Sequence, residues 1–211
     1  MKIRNLSFFV FLFMGFSLQA QQINKQNTAI SFFWVNLDEN LGVMQNKAFY
    51  DSLYTELTNA LVSEGGYTLH PVSDLKNKVP FHMLGYPLAS GKKAGKSGVA
   101  ETYLKFQIQI VPNGIFTTRT TTVGSGSVAV GTNKTKAKIK VKIDATVYDA
   151  KGKKIKEAES VCISENEIEV SQDLFSYGNF TQTSYNEDIT KMESFGTLVS
   201  SACLSIAKSL K

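Results

Sequence analysis

The chain has 211 residues, 43% of them hydrophobic and 19% charged, with a formal net charge of +5. That is enough apolar material for one globular domain, and four prolines with so modest a charge exclude wholesale disorder. Two cysteines exclude a disulfide-dense miniprotein, and two histidines, His70 and His82, leave little material for a histidine-rich metal site.

Lys2 and Arg4 precede an apolar run from Leu6 to Leu18 that is rich in Phe, and Ala20 then places a small residue before Gln21. A basic start, a short apolar centre and a small residue at the cut are the parts of a secretory signal peptide. The apolar run is too short for a spanning helix, which needs about 20 residues. Residues 1–20 therefore read as a signal peptide and residues 21–211 as a single domain, periplasmic or secreted after cleavage. Loss of Lys2 and Arg4 lowers the net charge from +5 to +3, which does not demand nucleic acid as a partner. No later segment reads as a transmembrane helix.

In chain order, Ala29 to Leu37 (AISFFWVNL) is β-branched and aromatic and predicts a buried strand. Phe49, Tyr50, Leu53, Tyr54, Leu57, Ala60 and Leu61 recur at helical spacing, and Gly65-Gly66 ends that helix. Tyr67 to Val72 predicts a short strand stopped near Pro71. Residues 73–100 read as irregular. Thr102 to Val111 predicts a strand with Leu104, Phe106, Ile108 and Ile110 on one face, followed by a turn at Pro112-Asn113-Gly114.

Residues 115–135 predict a hairpin with a Gly/Ser tip. From Ala137 to Val147, apolar residues alternate with Lys136, Lys138, Lys140, Lys142, Asp144 and Thr146, so one face is core and the other solvent. Asp149-Ala150-Lys151-Gly152 turns the chain, and Lys154 to Ile163 returns as the hairpin partner. Residues 172–186 read as a polar, aromatic-bearing loop. A terminal helix begins near Asp188 and carries Phe195, Val199, Ala202, Cys203, Ile206 and Leu210 on one stripe. The expected fold is α+β: a single mixed, mostly antiparallel sheet with two helices packed on one face.

The strand ISFFWVNL, the helix FYDSLYTELTNALVSEGGY, the strand pair KIKVKIDATVYDAKGKKIKEAES and the helix SFGTLVSSACLSIAKSLK follow in an order that resembles a group of bacterial envelope domains. The group comprises the curli-secretion pore subunit, the N-terminal domain of the Tol-system translocation protein, and lipoprotein activators of penicillin-binding proteins. The resemblance implies assembly or scaffolding, not catalysis. Several of those relatives carry a lipid-bearing cysteine after the signal, where this chain has Gln21-Gln22.

The residues offer few chemical motifs. Gly91-Lys92-Lys93-Ala94-Gly95-Lys96-Ser97 has three residues between its glycines where a phosphate loop has four, and no strand runs into it, so it reads as a solvated connector. Glu165, Glu167 and Glu169 alternate as if on one strand face, the basis for a carboxylate-dependent hydrolase or a solvated edge. Lys136, Lys138, Lys140 and Lys142 form a stripe suited to an anionic partner or to guarding a sheet edge. Phe81 and Tyr86 in one loop, and Phe175, Tyr177 and Phe180 in another, are candidate partner contacts or rings that fold back on the sheet. Cys162 and Cys203 are a candidate disulfide or two small buried hydrophobes.

No cofactor or metal is expected. The leading reading is a non-enzymatic exported cell-envelope protein that binds or scaffolds another envelope component, with a protein or envelope polymer as partner. The first alternative is a subunit of an oligomeric outer-membrane secretion pore that uses the 115–135 hairpin as its wall. The second is a small hydrolase using the 165–169 carboxylates.

Overall fold

A computed structural model describes residues 23–38, 47–123, 129–170 and 193–211, with side chains in these spans except at 115–135, 168–170 and 193–194. The expected signal peptide, the Gly/Ser tip and the loop carrying Phe175, Tyr177 and Phe180 lie outside the described residues. Five strands form one sheet: β1 (Thr28–Leu37), β2 (Thr102–Val123), β3 (Ala129–Asp149), β4 (Lys154–Ile163) and β5 (Ile168–Val170). Their order is β1-β2-β3-β4, with β5 also beside β3. β1 runs parallel to β2, and the other pairings are antiparallel. The helices are α1 (Lys47–Ser63), the short α2 (Lys92–Gly95) and α3 (Glu193–Ser209). The fold is α+β with a mixed sheet.

The helical stripes and strand alternation meet in one interior. Tyr50, Leu53, Leu57, Ala60 and Leu61 of α1 pack with Phe33 and Val35 of β1, the apolar faces of β2 and β3, and Phe195, Val199, Ala202, Cys203 and Ile206 of α3. Burying each large apolar side chain contributes about 1.5–3 kcal/mol relative to exposure. Tyr67 Oη donates to the Leu210 carbonyl at 3.1 Å, tying the end of α1's loop to the end of α3.

A smaller cluster lies on the other side of the sheet, at the end where β1 and β2 begin. It joins Ala29, Leu75, Ala89, Ala94, Ala100 and Tyr103, with Phe81 and Tyr148 against it. The segment 70–100 thus caps one end of the second face. It also covers the β1 edge: Phe33 N–H donates to the Pro87 carbonyl at 3.0 Å, and Ala89 N–H to the Ser31 carbonyl at 2.8 Å.

Four local expectations are corrected. The stretch Tyr67 to Val72 makes only a bridge, Thr28↔Leu69, before a 3-10 turn over Val72–Leu75. Pro71 has no N–H with which to continue a ladder. The turn expected at Pro112-Asn113-Gly114 is a bulge inside β2, with Gly114 at φ 76° and a register shift between Asn113 and Ile115. Pro112 is tolerated because pairing with β1 has ended at Ile110. Glu165 and Glu167 sit in the exposed turn between β4 and β5, and only Glu169 is on a strand. The three carboxylates therefore do not share one strand face.

The segment Gly91 to Ser97 is not a loose connector. Ala94 is fully buried, and α2 packs against the β3–β4 turn. That turn closes as the sequence predicts, with Gly152 N–H donating to the Asp149 carbonyl at 2.9 Å and Asp149 Oδ1 accepting from the N–H groups of Lys151 and Lys153. A Cβ on Gly152 would lie 2.3 Å from the Gly91 carbonyl carbon, and one on Gly95 would lie 2.5 Å from the Ala150 oxygen. The glycines permit backbone-to-backbone contact, which explains their spacing without a phosphate.

Gly152 has φ 76°, so Gly152→Ala adds dihedral strain to that clash. The expected loss is about 3 kcal/mol, a fall in Tm of about 6–12 °C. Gly98 also has positive φ but open space around it, and Gly98→Ala is expected to cost only about 1 kcal/mol. Thermal unfolding followed by circular dichroism compares the two; equal losses would show that the approach to Gly91 is unimportant.

Candidate functional site: the open face of the sheet

Because β-strand side chains alternate, the residues that do not face α1 and α3 line a second face. Register places them in rows across β1, β2, β3 and β4. One row is Phe32, Lys105, Thr146 and Glu157; the next is Trp34, Gln107, Asp144 and Glu159. The third is Asn36, Gln109, Lys142 and Val161, and the fourth is Val111, Lys140 and Ile163, followed by Asn113 beside Lys138. None of these residues is buried. The cap made by segment 70–100 covers Tyr103 and Tyr148 and leaves these rows accessible.

Trp34 is braced at the sheet edge. His82 lies perpendicular to its ring with centroids 5.0 Å apart, and itself stacks on Tyr50 at 5.9 Å. His82 Nδ1 accepts from the Leu84 N–H at 3.2 Å within a tight reversal closed by Gly85 N–H to the His82 carbonyl. Met83 at the tip of that reversal is 91% exposed. Phe81 packs half-buried on the smaller cluster. Tyr86 is turned inward, 6% exposed, and its hydroxyl donates to Asp51 Oδ1 at 2.5 Å. Lys47 and then Tyr86 hold the Asp51 carboxyl below the usual carboxylate range, while burial, and then the Asp51 contact, push the Tyr86 hydroxyl up. The two aromatics that sequence reasoning singled out here serve the interior, and the exposed ring is Trp34, which reads in sequence as one more residue of a buried strand.

The lysine stripe is not uniform. Lys142 Nζ contacts Glu159 Oε2 at 2.9 Å and Asp144 Oδ1 at 3.1 Å, and these partners raise its pKa. Its charge is thus matched on the face itself. Among the described residues Lys138 and Lys140 make no ion pair. Lys136 lies farther out and stands in register with Glu169. Cross-strand pairing of this kind is invisible in the order of residues along one strand.

His70 is held by Asp74 through Nδ1 at 3.2 Å and by Asn27 through Nε2 at 2.9 Å, which accounts for it structurally. No group of three or more metal-ligating side chains occurs among the described residues. No helix among them is long and apolar enough to cross a membrane.

Cys203 is buried on α3 and Cys162 half-buried on β4, both as free thiols against the main core. Burial above all, with smaller contributions from Glu56 and Cys162, pushes the Cys203 thiol up to about 12. The thiolate is the reactive form. In reduced protein at pH 8, iodoacetamide is expected to modify Cys162 well before Cys203, and Cys203 only after unfolding in urea. Peptide mass spectrometry reads the order, and equal rates in the native state would contradict the burial of Cys203.

No family model matches the chain, and no curated protein matches it. Among solved structures, a neuraminyllactose-binding hemagglutinin homolog from Helicobacter pylori is similar at 10% identity, over 89% of this chain and 87% of that one, with a TM-score of 0.44. A minor lipoprotein from Acinetobacter baumannii is similar at 11% identity, over 87% of this chain and 88% of that one, with a TM-score of 0.26.

Proposed function

We propose that this chain is a non-enzymatic exported cell-envelope protein that holds another envelope component against the open face of its sheet. The observation that carries the reading is that four successive rows across the sheet are left unburied although the opposite face is packed by two helices. Their side chains suit contact: an aromatic ring braced from behind, amides at Asn36, Gln107 and Gln109, and charges of both signs. Exposed Trp is a frequent anchor in interfaces because it buries much apolar area with few rotamers to fix. The order of elements, which resembles envelope domains of assembly systems, supports a scaffolding role, and the leader-like residues 1–20 support export.

The test is capture from the envelope fraction by immobilised full-length protein. Trp34→Ala with Gln107→Ala is expected to lose the captured component, and Thr55→Ala, on the exposed side of α1, to retain it. Capture unchanged by the open-face variant would overturn the reading.

One observation favours a pore subunit as the second reading. β2 and β3 continue as a two-stranded ribbon past the ends of β1, β4 and β5, from Thr118↔Lys134 to Val123↔Ala129. That adds about 20 Å at 3.3 Å per residue, and a two-stranded ribbon is marginal in isolation. A ring of such ribbons would give each strand a neighbour. Size analysis in detergent distinguishes the readings: a pore subunit is expected to run as a large oligomer that needs detergent, and a stable monomer indifferent to detergent would eliminate the pore.

A further inference from the structure

We infer that the outer edge of β4 takes a second copy of this chain, added antiparallel about a two-fold axis so that the sheet continues from one copy into the other. The inference goes beyond the binding role proposed above and does not depend on it.

β4 is the last strand of the path β1-β2-β3-β4, and β5 continues the same edge along β3. The β1 edge is covered by the main chain around Pro87 and Ala89, whereas no backbone hydrogen bond reaches the outer side of β4 among the described residues. A strand edge with unpaired N–H and C=O groups is a template for another strand.

The charges along this edge are ordered. Lys151, Lys153, Lys154 and Lys156 stand at its leading end, and Glu165, Glu167 and Glu169 at its trailing end. Between them, Glu157 and Glu159 are matched within the chain, by Lys154 at 2.9 Å and by Lys142 at 2.9 Å. Asp149 Oδ1 is held inside the turn by the N–H groups of Lys151 and Lys153. Lys153, Lys156, Glu165 and Glu167 make no ion pair among the described residues. Lys136, Lys138 and Lys140 equal the trailing glutamates in number but belong to β3, one strand further in. An added strand lies about 4.8 Å from the edge and about twice that from β3, so the edge residues dominate its contacts.

An antiparallel copy reverses this order. With the axis near Ser160, Lys153 and Lys156 of one copy stand opposite Glu167 and Glu165 of the other, and symmetry forms the same pairs twice. A parallel copy would set lysine beside lysine. Val161, 47% exposed, lies close to the axis in both copies, with Ile163, 46% exposed, next along the strand. Charges that deter other strands therefore select this one. The axis is perpendicular to the sheet, so the open faces of both copies, each with its Trp34, look to one side.

The full chain, as its host produces it, is studied by sedimentation velocity at about 0.1 mM, with and without detergent. A dimer is expected in both, which separates it from a pore that needs detergent. Lys153→Glu with Lys156→Glu, and separately Glu165→Lys with Glu167→Lys, should each weaken the dimer at least about tenfold, while the chain carrying all four changes should dimerise within about threefold of the wild type. An equimolar mixture of the two reversed variants should form a heterodimer. Amides of Lys154–Ile163 should exchange with solvent more slowly in the wild-type dimer than in either reversed variant alone. Circular dichroism confirms that each variant is folded. A monomeric wild type overturns the inference, as do reversed variants that dimerise as well as the wild type or fail to combine when mixed. A chain with all four changes that pairs no better than either reversed variant overturns it too, and so does equal amide exchange.

Discussion

The alternation of side chains along β2 and β3 is the constraint on which the rest of the molecule depends. Leu104, Phe106, Ile108 and Ile110 on one strand and Ile139, Val141, Ile143, Ala145 and Val147 on the other point to one side. Two helices are needed to cover that much apolar surface, and α1 and α3 do so as a pair. The polar positions between them must then face away. A slip of one residue in the β2–β3 register would exchange the two sets and put Lys138, Lys140 and Lys142 under the helices, so the register is strongly fixed. The same pairing that builds the core therefore determines which lysine sits beside which carboxylate.

This dependence explains why some features are legible in the sequence and others are not. The stripes of α1 and α3 and the alternation of β3 repeat over several turns or residue pairs, and local periodicity is enough to find them. The Asp149–Gly152 turn carries its own chemistry and is equally plain. Pro112-Asn113-Gly114 uses the same residue types yet forms a bulge, because a strand already paired with β3 accepts an extra residue more readily than it reverses. Segment 70–100 lacks periodicity, so nothing local shows that it wraps the β1 edge and lays α2 on the β3–β4 turn. The site is legible only in part. The lysine stripe can be read from spacing, but the partners of Lys142, the apolar neighbours of Lys140 and the exposure of Trp34 follow from cross-strand register and from where a distant loop stops.

The two edges of the sheet are managed differently. At β1, the main chain around Pro87 and Ala89 completes hydrogen bonds that would otherwise face solvent, and Tyr50 Oη donates to the Val35 carbonyl at 2.9 Å. β4 relies on charge, with Lys154, Lys156, Glu157 and Glu159 along a ten-residue strand. Charged side chains discourage another strand from adding at an edge. The charges stop at Glu159, and Val161 and Ile163 occupy the last part of the strand. Protection of the edge and exposure of the apolar pair thus divide one strand between them.

A face that mixes lysine with valine and isoleucine has a physical reason to remain soluble without a partner. The four-carbon stem of lysine can lie along apolar neighbours while its ammonium stays in water. Lys140 stands in register between Val111 and Ile163 and is only half exposed, as that arrangement requires. None of the residues involved belongs to the core that α1 and α3 close, so this face can change its partner without changing the fold.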